Sequence, residues 1–256
     1  MHFLCLHGVG TNSKILELQT SAIRYALGPQ HTYDFVEGAL DHPMAPGISN
    51  LVSPTDSFHA YFAPTSGHSL RSALRDLDVL IADADPPYDG VWGFSHGACL
   101  AATMLARPQQ QSITSTITTA CATRISARLP APFRVAVFFS AGMAADHGAL
   151  QVDEIRMLRV SGGVGGDVAG ERTTIGLGDG LIEIPTAHVF ADEDEVAPEQ
   201  GGLLVRLCAA TGRHVATHGL GHCIPGAAER ESLEAAVEAI RGAIRDAEER
   251  TKRGDD

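Results

Sequence analysis

Tyr88-Asp89-Gly90-Val91-Trp92-Gly93-Phe94-Ser95-His96-Gly97-Ala98-Cys99-Leu100-Ala101-Ala102 is the stretch that decides the fold of this chain. It reads as a short apolar strand, a sharp turn at Gly93-Phe94-Ser95-His96-Gly97, and a helix of small residues. The turn matches G-x-S-x-G, in which a serine is thrown up between strand and helix with its hydroxyl exposed. A turn that sharp needs neighbours without a Cβ, both for unusual backbone angles and for close packing. The helix N-terminus beneath Ser95 offers free N–H groups and a positive dipole end to a developing negative charge. The plainer alternative is a glycine-rich turn with an incidental serine, and the strand and helix flanks weigh against it.

The segments on either side fit the same architecture. Phe3 to His7 is a short buried strand running into the glycine-bearing loop His7-Gly8-Val9-Gly10-Thr11-Asn12. A helix is predicted next, capped by Thr11, Asn12 or Ser13. Its apolar face holds Ile15, Leu18, Ala22, Ile23, Ala26 and Leu27, and Gly28-Pro29 stops it. Tyr33 to Val36 is a second strand. Leu70, Ala73, Leu74, Leu77, Leu80 and Ile81 mark an amphipathic helix ended by Pro86-Pro87. Phe133 to Phe139 and Ile184 to Ala191 are largely apolar runs of the kind buried on both faces. Leu203 to Ala210 is helical, His214 to Thr217 is a last short strand, and a final helix turns Leu233, Val237, Ile240 and Ile244 inward. Strands alternating with helices imply an α/β fold, a mostly parallel sheet with helices on both faces.

Other stretches lack a period. From Gly38 to Gly67, four prolines punctuate scattered large apolar residues. A connection this long tends to be a binding loop or a lid. The 38–67 stretch is therefore expected to face substrate, with Phe58, Tyr61 and Phe62 as contacts. Gln109 to Thr119 is polar and reads as exposed loop. Ser161 to Gly180 is glycine-rich, yet Gly162-Gly163-Val164-Gly165-Gly166 lacks the Lys-Ser/Thr pair of a phosphate-binding loop, so a flexible insertion is expected there.

A chain of 256 residues fits one domain over 1–256. Its formal net charge of −12 argues against nucleic acid and anionic membrane as partners, since both require basic patches. No apolar run approaches the roughly 18 residues of a membrane span. Five scattered cysteines without CxxC spacing suggest a reducing compartment. No basic segment precedes the apolar Phe3-Leu4-Cys5-Leu6, so the expected location is the cytoplasm.

In a parallel α/β sheet, ligands sit beyond the carboxyl ends of the strands. Ser95, the loop at His7-Gly8-Val9, the acidic run Asp192-Glu193-Asp194-Glu195 and the loop after Thr217 all fall at that end. A serine hydroxyl is a poor nucleophile unless a base takes its proton, and a histidine held in one tautomer by a carboxylate supplies that base. In this kind of fold the chain order is serine, acid, histidine. Asp194 leaves the strand and turns toward a neighbouring loop, which makes it the first candidate acid, with Asp192 as the alternative. His222, in Gly219-Leu220-Gly221-His222-Cys223-Ile224-Pro225, is the candidate base, and His218 is its rival, whose plainer alternative is a strand-end histidine facing solvent. The oxyanion donors are expected to be the backbone N–H of His96 and one from the loop after the first strand, at Val9. His214, His218 and His222 have helical metal-ligand spacing, but Gly219 and Gly221 oppose a helix and no carboxylate completes the set, so no metal or cofactor is expected.

The motifs taken together are more specific. Leu6-His7-Gly8-Val9-Gly10-Thr11-Asn12-Ser13, Tyr33-Asp34-Phe35-Val36-Glu37-Gly38, Tyr88 to Gly97, Ile184-Pro185-Thr186-Ala187-His188-Val189 and Gly221-His222-Cys223-Ile224-Pro225 resemble the FSH-type family of serine hydrolases, in the α/β-hydrolase superfamily. The resemblance implies the α/β-hydrolase fold and places the serine at Ser95, the acid at Asp194 and the histidine at His222. Two positions depart from the family pattern. Ala191 stands where a glycine is usual three residues before the acid, and His96 replaces a common glutamine after the nucleophile.

The family implies an acyl hydrolase. Its fungal-type members include hydrolases that release polyketide chains from a carrier-protein thioester, beside esterases for short and medium acyl esters. The aromatic 38–62 loop is similar to that of the release type. The expected reaction is therefore cleavage of a thioester or ester through an acyl-enzyme, with a polyketide synthase carrier protein as partner. A broad carboxylesterase for small acyl esters is the alternative, and a binding module that kept the fold without turnover is a third reading opposed by the intact serine, acid and histidine.

Overall fold

In the computed structural model the described residues are 1–53, 55–107, 132–160, 172–175 and 180–254. Along them the chain runs β1 (His2–Leu6), α1 (Ser13–Gln19), α2 (Ser21–Leu27), β2 (Thr32–Val36), β3 (Leu40–Asp41), β4 (His59–Ala60), α3 (Gly67–Ala82), β5 (Gly90–Phe94) and α4 (His96–Leu105). It continues through β6 (Val135–Phe139), α5 (His147–Leu150), β7 (Met157–Val160), β8 (Arg172–Ile175), β9 (Thr186–Ala191), α6 (Gln200–Leu207), β10 (Arg213–His218) and α7 (Arg230–Arg253).

Six strands form one sheet in the order β10-β9-β6-β5-β1-β2, and every neighbouring pair is parallel. The two-residue alternation of the strands feeds two cores. Leu4, Leu6, Val91, Ala136 and Phe138 point into one, which α3, α4 and α6 cover with Leu70, Leu74, Leu100 and Leu204. Phe3, Cys5, Trp92, Val137, Phe139 and Val189 point into the other, covered by α1, α2 and α7 with Leu16, Ile23, Val237 and Ile240. Both faces of the sheet are apolar because both are covered, which is why the strands read as unbroken apolar runs. The fold is α/β, a parallel sheet with helices on both faces.

The helix predicted from Ser13 to Leu27 is two. Asn12 caps α1 by accepting the Ile15 N–H at 2.9 Å, while Thr20 turns its hydroxyl back onto the Leu16 carbonyl at 2.8 Å, and the chain breaks there into α2. Such back-bonding bends helices. Leu18, assigned to the buried face, is 56% exposed.

The 38–67 stretch holds a small antiparallel ribbon, β3 on β4, pairing Leu40 with Ala60 and Asp41 with His59. Within Ser161–Gly180, the described residues are β8, paired parallel with β7, and Gly180, and the other residues of that expected insertion lie outside the described residues. So does Gln109–Thr119. Among the described residues no helix is long and apolar enough to cross a membrane.

Candidate active site

Ser95 leaves the carboxyl end of β5 with φ 51° and ψ −108°, a left-handed conformation that L residues rarely adopt. Two glycines make the turn possible by close approach. A Cβ on Gly97 would stand 2.3 Å from the Leu6 carbonyl oxygen, and one on Gly93 would stand 2.5 Å from the Ala98 Cα. Backbone bonds then hold the turn, from Ser95 N–H to the Phe139 carbonyl at 2.9 Å and from Gly97 N–H to the His7 carbonyl at 3.1 Å. The elbow is thereby tied to β6 on one side and to the loop after β1 on the other.

Asp194 follows the carboxyl end of β9. One carboxylate oxygen accepts the N–H groups of Val196 and Ala197 at 3.0 and 2.9 Å, which locks the side chain in its turn. The other lies 2.7 Å from His222 Nδ1. His222 Nε2 in turn lies 2.9 Å from Ser95 Oγ, so serine, histidine and aspartate form one hydrogen-bonded line. With Nδ1 carrying its proton toward Asp194, Nε2 is left free to accept the Ser95 O–H. Burial alone pushes the Asp194 carboxyl up, but His222 and the Ala197 and Val196 N–H groups outweigh it and hold the carboxyl below its ordinary value. The Phe94 ring, 5.3 Å from the His222 ring between centroids, packs one side of the imidazole.

The rival residues go elsewhere. Asp192 is exposed, with its backbone extending the β9–β10 ladder to the His218 carbonyl at 3.0 Å. His218 is buried, so it fits neither the solvent-facing alternative nor the base, and it accepts the Leu220 N–H at 3.3 Å. His214 pairs with Asp246 at 2.8 Å. The three histidines thus serve three different partners.

Facing Ser95 from the other side is the loop after β1. Neither the Val9 N–H nor the His96 N–H makes a hydrogen bond among the described residues. The start of this loop has a role that sequence reasoning misses. His7 is fully buried, with Nδ1 2.8 Å from the Gly8 carbonyl and Nε2 accepting the Gly38 N–H at 3.0 Å. It thereby fastens the end of β2 to this loop. The only sequence signal for that role is its place in an apolar strand's last turn, which a tight turn alone also explains.

The three aromatic contacts predicted in the 38–67 loop divide. Phe58 is partly exposed. Tyr61 and Phe62 are used within the protein instead of facing substrate. The Tyr61 hydroxyl accepts the His7 N–H at 2.9 Å and donates to the Val36 carbonyl at 2.7 Å. Phe62 is 3% exposed and stacks on His96 with ring centroids 3.9 Å apart. A large buried ring gains more from packing beneath the loop than from an open cleft.

Comparison with known proteins gives the family of the chain. The esterase FPY3 of Fusarium mangiferae is 37% identical over 228 residues, covering 88% of each chain. The probable esterase tazC of Aspergillus terreus is 33% identical over 118 residues, 41% of this chain and 44% of that protein. Among solved structures, Arabidopsis thaliana SOBER1 superposes with a TM-score of 0.52 at 14% identity, covering 95% of this chain and 99% of that one, a likeness of fold. The family model described as Serine hydrolase (FSH1) matches residues 1–233, and the chain belongs to that family of serine hydrolases.

Proposed function

We propose that this serine hydrolase cleaves a thioester or ester through an acyl-enzyme on Ser95, releasing a bulky apolar acyl chain of polyketide type from a carrier protein. The observation that carries the catalytic part is the line Ser95 Oγ, His222 Nε2, His222 Nδ1, Asp194, with steps of 2.9 and 2.7 Å. Ser95 Oγ attacks the acyl carbon while its proton passes to His222 Nε2. The oxyanion that forms is held by the Val9 and His96 N–H groups, each such donor being worth about 2.7–4 kcal/mol in the transition state. Collapse expels the alcohol or thiol, protonated by His222. A water then gives its proton to His222, attacks the acyl-enzyme and frees the acid and Ser95. Asp194 holds the imidazole in the tautomer this needs and stabilises its cationic form.

The apolar acyl group is supported by exposed apolar side chains close in sequence to Asp194 and His222 and on the 38–67 loop. Val196, two residues after Asp194, and Leu220, two before His222, are exposed apolar residues, and Leu40, Met44 and Leu51 are exposed on the 38–67 loop. Phe58, partly exposed on the same loop, is the remaining aromatic candidate for substrate contact. The esterase names of FPY3 and tazC favour a second reading, a carboxylesterase of broad small-ester specificity. Rates on an acyl-carrier thioester and on simple aryl esters separate the two. Higher kcat/KM on the thioester supports release from a carrier, and the reverse order supports the second reading. A fluorophosphonate probe should label the wild-type enzyme and leave S95A unlabelled; persistent labelling of S95A would sink the assignment.

A further inference from the structure

The two proposed oxyanion donors, Val9 N–H and His96 N–H, belong to segments far apart in sequence, and such donors act only if their spacing is held fixed. We infer that the His96 side chain is a positioning residue that tethers the two donors to each other. The inference rests on the proposed role of those two N–H groups.

The tether runs through residues 59–62. At its start, the His59 carbonyl accepts the Gly10 N–H at 2.9 Å and the His59 N–H donates to the Thr11 carbonyl at 2.8 Å. These bonds grip the loop immediately after Val9. In the middle, the Tyr61 hydroxyl accepts the His7 N–H at 2.9 Å, gripping the same loop on its other side. At the end, Phe62 meets His96. Its ring lies on the imidazole with centroids 3.9 Å apart and planes 21° apart, and its N–H points to His96 Nε2 at 3.4 Å. The Tyr61 ring lies nearly parallel to the same imidazole at 6.2 Å. One side chain therefore joins the elbow, which carries the second donor on its own backbone, to the arm that clamps the first.

The chemistry suits an uncharged imidazole. Nε2 must keep its lone pair to accept the Phe62 N–H, and burial, with His7 and His42 nearby, pushes the His96 pKa down to about 3. A glutamine in place of His96 would offer a carbonyl oxygen to the same N–H but only part of the stacking face. His96 thus keeps the acceptor and adds a flat contact.

Steady-state kinetics on an aryl ester with S95A, H96A, H96Q and F62A, each checked for a cooperative thermal transition, test the inference. H96A is expected to lower kcat about 10- to 100-fold with KM nearly unchanged, because a misplaced catalytic group loses rate more than binding. H96Q should recover most of that loss, and F62A, which truncates the other half of the contact, should lower kcat in the same sense. A folded H96A within about twofold of wild-type kcat overturns the tether, as does a loss confined to KM or an H96Q no better than H96A. If H96A does not fold, F62A decides: a kcat loss supports the tether, while wild-type kcat or a loss in KM alone overturns it. S95A separates the two levels of argument. Turnover by S95A brings down the reading of the site, whereas an inert S95A beside an unaffected H96A brings down the tether alone.

Discussion

The elbow at residues 88–105 and the loop at residues 38–62 both border Ser95, yet they are encoded in different ways. The elbow is local. Its strand, turn and helix are contiguous, and its glycines are dictated by contacts of 2.3 and 2.5 Å that any Cβ would create. The loop is assembled at long range. Its short ribbon is fastened by His59 to Gly10 and Thr11, by the Asn12 side-chain amide to the Ser57 carbonyl at 2.9 Å, and by Tyr61 to His7 and Val36. Rigidity next to Ser95 can therefore come from a steric rule written in five residues or from polar bonds scattered over fifty, and only the first has a recognisable motif.

The sharpest way to break this comparison is to load each region with one substitution. G97A places a methyl against the Leu6 carbonyl, a backbone atom that no rotamer change can move aside. The loss of stability should exceed the usual overpacking cost of about 1–3 kcal/mol, read as a large drop in melting temperature or failure to fold. Y61F removes the hydroxyl that bridges His7 N–H and Val36 carbonyl and leaves both groups short of a partner. Its expected cost is about 1–3 kcal/mol, with the sheet intact by circular dichroism. Equal losses from the two variants would mean that elbow and loop are one cooperative unit, against the distinction drawn above.

A graded effect is expected from acid, through groups that sit where the regions meet and beneath them. Burial holds both His96 and His188 down to about 3, whereas the unfolded chain takes up the same protons near the ordinary histidine value of about 6.5. Each imidazole is therefore neutral in the folded protein while the unfolded state gains a proton. Stability is full above about 6.5 and declines as pH falls toward 3, by up to about 1.4 kcal/mol per pH unit for each group. Melting temperature measured from pH 7 to 4 should fall, and more gently in H188L. An unchanged slope in H188L would remove His188 from the account. His188 contacts only Thr186 and Phe138 among polar and aromatic partners in the described residues, so the variant leaves the serine line untouched.

Much of this was legible in the residues, for physical reasons that differ by element. β1, β5, β6 and β9 announce themselves because strands covered on both faces must be apolar throughout. Ser95, Asp194 and His222 follow from chain order and strand-end position, and the structure brings all three within hydrogen-bond distance. The break at Thr20 was hidden because it depends on one hydroxyl choosing a carbonyl a turn behind it. Tyr61 and Phe62 looked like substrate contacts because aromatics in an aperiodic loop carry no mark of the partner they stack on. That partner, His96, lies on another segment of chain, and so does the backbone N–H that Tyr61 receives from His7.

Ser95 occupies the capping position of α4 without spending its side chain on a cap. Most helices close that end with a serine or aspartate oxygen bonded to their own backbone. Here the hydroxyl is turned to His222 and the first turn is left unfinished. On the proposed chemistry, the missing oxygen arrives only when an acyl group adds to Ser95 and its carbonyl becomes an anion. The reaction intermediate then serves as the absent residue of the helix, and α4 is a complete structure only for as long as the substrate is halfway to product.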